Sequence, residues 1–123
     1  MKLLFIVIAG LLLLSCAKPR VSSVTVSYAQ CTQFEVRGNI LSLCYDSLND
    51  SRCPPAYICI WSGDAVARFR FTAHTQHAVA LSLYGSMMGV GNDTTVEGYH
   101  LRLVDLPFPT TPSADKTAIV EIK

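Results

Sequence analysis

Ala65-Val66-Ala67-Arg68-Phe69-Arg70-Phe71-Thr72-Ala73 is the stretch on which the fold turns. Ala65, Ala67, Phe69, Phe71 and Ala73 fall on one side, and Val66, Arg68, Arg70 and Thr72 on the other. A period of two with one apolar side marks a strand of an antiparallel sheet that has one wetted face. Downstream, Val79, Leu81 and Leu83 alternate with Ala78, Ala80, Ser82 and Tyr84, and Tyr99, Leu101 and Leu103 alternate with His100, Arg102 and Val104. Gly85 to Asp93 reads as a loop, Pro107, Pro109 and Pro112 interrupt the pattern, and a last strand runs from about Thr117 to Ile122. No segment carries a 3.6-residue stripe, so the sequence predicts an all-β chain. The expected architecture is a single small antiparallel β-sandwich of about seven strands over residues 24–123, stapled by disulfides.

Upstream lies a hairpin. Val24–Val36 and Asn39–Tyr45 flank Arg37-Gly38. If those two residues form the loop, Val36 faces Asn39, Phe34 faces Leu41, and Cys31 faces Cys44 at a non-hydrogen-bonded position, where Cα atoms come within disulfide range. The same register puts Phe34, Val36, Leu41 and Leu43 on one face, so apolar patterning and cysteine geometry agree. Shifting the turn to Gly38-Asn39 would set Cys31 opposite Asp46 and lose the pairing. Cys53 and Cys59 enclose Pro54-Pro55, which suits a short disulfide-closed loop better than a helix or a central strand. A zinc site is disfavoured because the four cysteines are not spaced as two close pairs.

The amino terminus explains part of the 50% hydrophobic content. Lys2 precedes an apolar run from Leu3 to Leu14, a helix of roughly 18 Å against a hydrocarbon core of about 30 Å. It therefore reads as a signal peptide over residues 1–15. Leu13-Leu14-Ser15-Cys16 resembles the lipobox of bacterial lipoproteins, which implies lipidation of Cys16, cleavage before it, and acyl chains that hold the protein on a membrane. Residues 16–23 form the expected tether. Ala17 stands where some Gram-negative lipoproteins retained at the inner membrane carry aspartate, so the expected location is the outer membrane, facing the periplasm. Export also favours oxidised cysteines.

Asp50-Ser51-Arg52-Cys53-Pro54, then Cys59-Ile60-Trp61-Ser62-Gly63, and later Gly98-Tyr99-His100-Leu101-Arg102-Leu103 carry a further likeness. The pattern D-S-R-C-P-x4-C-[IV]-W-x-G resembles that of a set of small uncharacterised bacterial lipoproteins, over roughly residues 40 to 122. The resemblance implies fold and envelope location and brings no activity with it. Two physical readings of the motif compete. In one, the loop is a rigid plug: Trp61 covers an end of the core, and Arg52 pairs with Asp50, Asp46 or Asp64 or donates to loop carbonyls. In the other, Asp50, Arg52 and Trp61 form a recognition loop, since aromatic and arginine side chains anchor interfaces.

Ten Lys+Arg against nine Asp+Glu exclude electrostatic capture of an anionic polymer, so no nucleic-acid partner is expected. Gly85-Ser86-Met87-Met88-Gly89 lacks the spacing of a nucleophile elbow, no phosphate-binding glycine loop is present, and no cofactor or enzymatic activity is expected. The leading expectation is a membrane-anchored, non-catalytic domain that binds or braces a protein or other envelope component. The alternative is a small-ligand or copper-binding lipoprotein using His74, His77, Met87 and Met88, with His100 as a further candidate ligand. His74 and His77 lie on opposite faces of an extended strand and converge only if a turn falls between them.

Overall fold

The computed structural model describes residues 22–61, 63–85, 89–109 and 116–123. The expected signal peptide over residues 1–15, Cys16, and the methionines Met87 and Met88 lie outside the described residues. Eight strands follow in order: β1 (Ser22–Ser27), β2 (Cys31–Val36), β3 (Asn39–Asp50), β4 (Ala65–Thr72), β5 (Gln76–Ser82), β6 (Asp93–Val96), β7 (Tyr99–Asp105) and β8 (Thr117–Ile122). They form two four-stranded antiparallel sheets, ordered β1-β8-β7-β6 and β2-β3-β4-β5, with no helix among the described residues.

The inward side chains of both sheets close one core. Tyr45, Phe69, Phe71, Leu41, Leu43 and Leu81 from one sheet meet Val26, Leu101, Leu103, Val120 and Ile122 from the other. The alternation read from Ala65–Ala73 holds, with Ala65, Ala67, Phe69 and Phe71 buried. Tyr45 packs against Phe69 and Tyr28, and Phe71 against Tyr99, at ring separations of 5.2, 5.4 and 5.9 Å. Such tilted and edge-on contacts suit the ring quadrupoles.

The hairpin register is the expected one. Val36 faces Asn39 and Cys31 faces Cys44, and those two cysteines form a disulfide with Cα atoms 4.0 Å apart. Arg37 and Gly38 take φ of 52° and 78°, the left-handed pair that a two-residue hairpin loop demands. Glu97 and Gly98 repeat this geometry between β6 and β7, at 50° and 81°.

The expected disulfide-stapled antiparallel sandwich is the fold, and three of its details differ. The sandwich has eight strands, because Val24–Val36 is not one segment: the chain leaves one sheet at Ser27 and enters the other at Cys31. β6 is the other addition, a short strand whose Asp93-Thr94-Thr95-Val96 carries too little apolar alternation to be read locally. Ser22 and Ser23, expected in the tether, already belong to β1, where they pair with Ile122 and Glu121. β3 also runs on to Asp50 through a bulge between Tyr45 and Ser47. Beyond that bulge Leu48 packs on the core, three residues after Tyr45, so the period of two is broken by one residue.

The sandwich has two unlike ends. At one, the turns at 37–38, 73–75 and 97–98 gather beside Ser22 and Ile122. At the other, the loop from Asp50 to Ala65 joins the segments around Tyr84 and Leu106.

Candidate functional site

The long loop between β3 and β4 is held from below by a polar knot. Ser51 and Asp64 face each other across its neck: the Ser51 N–H and Oγ–H both donate to the Asp64 carbonyl at 2.8 and 2.9 Å, and the Asp64 N–H donates to Ser51 Oγ at 3.0 Å. The Asp64 side chain turns into the protein, 3% exposed, and accepts from the backbone of Ala65 and Tyr84 and from the hydroxyl of buried Ser82. Three donors on one carboxylate offset the penalty of burying a charge. The Asn92 side-chain amide donates to the Leu83 and Leu103 carbonyls at 3.1 and 2.9 Å, tying the two sheets at this end.

Gly63 closes the neck. Its φ is +59°, and a Cβ there would lie 2.1 Å from the Ser51 carbonyl oxygen, inside any tolerable contact. The motif glycine is thus a steric requirement of the loop.

Arg52 fills the corner beneath the loop. Its Nε and Nη2 donate to the two carboxylate oxygens of Asp50 at 2.9 and 2.7 Å, Nη1 donates to the Leu106 carbonyl at 2.8 Å, and its guanidinium lies 4.1 Å from the centre of the Phe108 ring. The side chain is 7% exposed. Of the three carboxylates that sequence leaves open to Arg52, Asp50 takes it, Asp46 is bound to Arg70 at 2.8 Å, and Asp64 serves the neck. Partial burial pushes the Asp50 carboxyl up, but hydrogen bonds from the Arg52 side chain and backbone outweigh it and hold the group below its usual 3.8. The same side-chain bond holds the Arg52 guanidinium above its ordinary value against burial.

Above this base the loop is apolar and uncovered. Cys53 and Cys59 form a disulfide. Within it, Tyr57 N–H donates to the Pro54 carbonyl at 3.0 Å, closing a turn with Pro55 at its first central position. Ile58 and Ile60 are fully exposed, and Tyr57 and Trp61 are 70% and 59% exposed. Trp61 therefore does not cover the core. Its indole N–H is pinned to the Ser51 carbonyl at 3.1 Å while its ring faces solvent. Tyr84 and Phe108, on the segments that meet Asp64 and Arg52, add exposed aromatic surface at the same end.

The proposed recognition set thus divides. Asp50 and Arg52 are the support, and Trp61 belongs to the presented surface with Tyr57, Ile58 and Ile60, which sequence reasoning passed over. The signal was present: three large apolar residues in a Pro-containing loop between half-cystines have no strand periodicity to bury them.

The histidines fall at the opposite end. The turn at 73–75 brings His74 Nδ1 and His77 Nε2 to 3.6 and 3.3 Å from the Glu97 carboxylate, which also receives the His74 N–H at 3.2 Å. His100 is elsewhere, 2.9 Å from Asp93. Among the described residues no group of three or more His, Cys, Asp or Glu side chains is placed to hold a metal ion.

No protein-family profile matches the chain, no curated protein matches it, and no solved structure does.

Proposed function

We propose that this is a lipid-anchored protein of the bacterial envelope, attached through Cys16, whose non-catalytic β-sandwich engages a protein partner through the apolar tip of the disulfide-closed loop. The observation that carries this reading is the pairing of a rigid base with an exposed crown: a buried polar knot and a bidentate Arg52–Asp50 pair support Ile58 and Ile60 in full contact with water. Exposed large apolar groups on an ordered loop cost solubility and are the usual mark of an interaction site. Orientation supports it too. The stretch from Cys16 to Ser22 reaches at most about 20 Å when fully extended. Ser22 lies at the turn end, so lipid at Cys16 leaves the loop pointing away from that bilayer toward the periplasm.

The test uses the full chain in a bacterial host. Labelled fatty acid is expected on the wild type and absent from Cys16→Ser, which should leave the membrane fraction. A photo-crosslinking residue at Ile58 is expected to trap one discrete protein, whereas the same residue at Ile40, an exposed position next to the 37–38 turn, traps none. Equal trapping at both sites, or label that survives Cys16→Ser, would defeat the proposal.

A further inference from the structure

β5 is the last strand of its sheet, so no strand among the described residues pairs with its outer edge. Register and bonding fix which groups face out. Leu83 N–H donates to the Ala65 carbonyl at 2.9 Å, while Ser82 N–H turns the other way to Gly91. Odd-numbered residues of β5 therefore bond to β4, and Gln76, Ala78 and Ala80 aim their backbone N–H and C=O groups away from the sheet. The hairpin at Arg37-Gly38 gives the same answer independently, because its hydrogen-bonded Val36/Asn39 pair sets the alternation across β3 and β4.

Natural sheets guard such edges with charge, proline or bulges. β2 carries Glu35 and β6 carries Asp93, but Gln76-His77-Ala78-Val79-Ala80-Leu81-Ser82 itself has no Lys, Arg, Asp, Glu or Pro, its register with β4 is unbroken, and the Glu97 carboxylate meets it at His77, at the turn end of the strand. Beside it lies a shallow groove of about 230 Å³ on the outer face, bordered by Asp46, Ser47, Arg68, Ala78 and Ala80. Arg68 stands directly across from Ala80 and is exposed. Arg70 on the same face is held by Asp46 and Arg102 on the other sheet by Glu121, yet Arg68 has no carboxylate partner among the described residues. β1 is likewise uncharged, but the charged residue of the β8 strand beside it, Glu121, is already held by Arg102.

We infer that β5 accepts an extended, acidic segment of a partner protein as an added strand, paired through Ala78 and Ala80, with a carboxylate of that segment meeting Arg68 across Ala80. An added strand lies about 10 Å from β4, two strand spacings, which an extended arginine and a glutamate span between them over an alanine. Charge argues against a second copy of this chain as the occupant, since the β5 strand of that copy, Gln76–Ser82, carries no carboxylate to meet Arg68.

The experiment follows backbone amide exchange in the full chain in detergent, with a short synthetic peptide alternating valine and glutamate as probe and its lysine counterpart as control. The acidic peptide is expected to slow exchange at Ala78 and Ala80 and the lysine peptide to leave them unchanged. Arg68→Glu should weaken the acidic peptide by roughly tenfold and admit the lysine peptide. Ala80→Pro, which removes one open donor at a position an edge strand tolerates, should abolish the effect with the fold intact. Equal response to both peptides, protection along Cys31–Val36 or at 53–61 instead, or protection of β5 without peptide at rising protein concentration, which marks self-pairing, would each overturn the inference.

Discussion

The two ends of the sandwich solve the same problem by opposite means. At the turn end, strands are joined by short connections whose polar groups are satisfied across the sheets: Arg37 donates to the Gly98 carbonyl and stacks 4.5 Å from the Tyr99 ring, Asn39 donates to the Tyr99 hydroxyl, and Glu97 meets His74 and His77. Little there is apolar and exposed, apart from Ile40. At the loop end, a connection more than ten residues long between β3 and β4 is fastened by a buried carboxylate, a buried serine, a nearly buried arginine and a disulfide. What that support holds up is hydrophobic and wet. The lesson is that buried polar groups here are concentrated where the surface is least favourable, which keeps an exposed apolar loop ordered without a cover.

Substitutions of glycine separate the two ends most sharply. Gly63→Ala drives a methyl into the Ser51 carbonyl and should lower stability by about 3 kcal/mol. Gly38→Ala and Gly98→Ala meet nothing within 4 Å, and should lose only about 1 kcal/mol, the cost of the left-handed conformation. Thermal unfolding of the three variants measures the difference, and equal losses would erase the contrast.

Arg52→Ala comes next, with an expected loss of about 2 kcal/mol, since it strips Asp50 and the Leu106 carbonyl of donors. The pair also sets a pH signature. Asp50 holds its proton less tightly in the folded chain than in the unfolded one. Its contribution is therefore complete above the unfolded value and fades as pH falls through the lower folded value. The stability gap between wild type and Asp50→Asn should be constant near neutrality and narrow as pH drops below about 4. A gap that persists in acid would mean the carboxylate charge is not what matters.

A smaller effect is expected at Tyr45, whose buried hydroxyl has no hydrogen-bond partner among the described residues. Burial, with Tyr28 and Asp50 adding to it, pushes that phenol from 10.0 up to about 12. The folded chain therefore keeps the proton longer than the unfolded one, and stability is lost as pH rises from 10 toward 12. Tyr45→Phe should be close to neutral at pH 7 and should shallow that alkaline loss, read from unfolding curves at the two pH values. The smallest effect on stability belongs to Ile58→Ser with Ile60→Ser: within about 0.5 kcal/mol of wild type, while crosslinking from a photo-reactive residue placed at exposed Tyr57 disappears. Were the double variant to unfold, the crown would be part of the structure and not a surface presented to a partner.

Much of the scaffold is legible in the chain because its determinants are local. Side-chain direction in a strand repeats every two residues, so Ala65–Ala73, Val79–Leu83 and Tyr99–Leu103 declare their buried faces without reference to anything else. A two-residue turn at Arg37-Gly38 fixes a register, and that register alone sets Cys31 against Cys44. Where local pattern fails, a nonlocal contact supplies the order. β6 is polar in sequence and exists because β7 pairs with it, and the far half of β3 is hidden by the bulge at Asp46, which shifts the inward positions from 43 and 45 to 48.

By itself the sequence determined an oxidised, antiparallel β-domain with one long disulfide-closed loop, since period, turn length and cysteine placement act over a few residues. Tertiary structure alone decided what the loop does with its side chains. Arg52 had three carboxylates within reach in sequence and takes Asp50, because the bulge gives Asp46 to Arg70 and the meeting of β4 with β5 draws Asp64 inward to Ser82 and Tyr84. Those polar groups are committed below the loop, while Tyr57, Ile58, Ile60 and Trp61 stand exposed above it, at the end of the molecule farthest from Ser22.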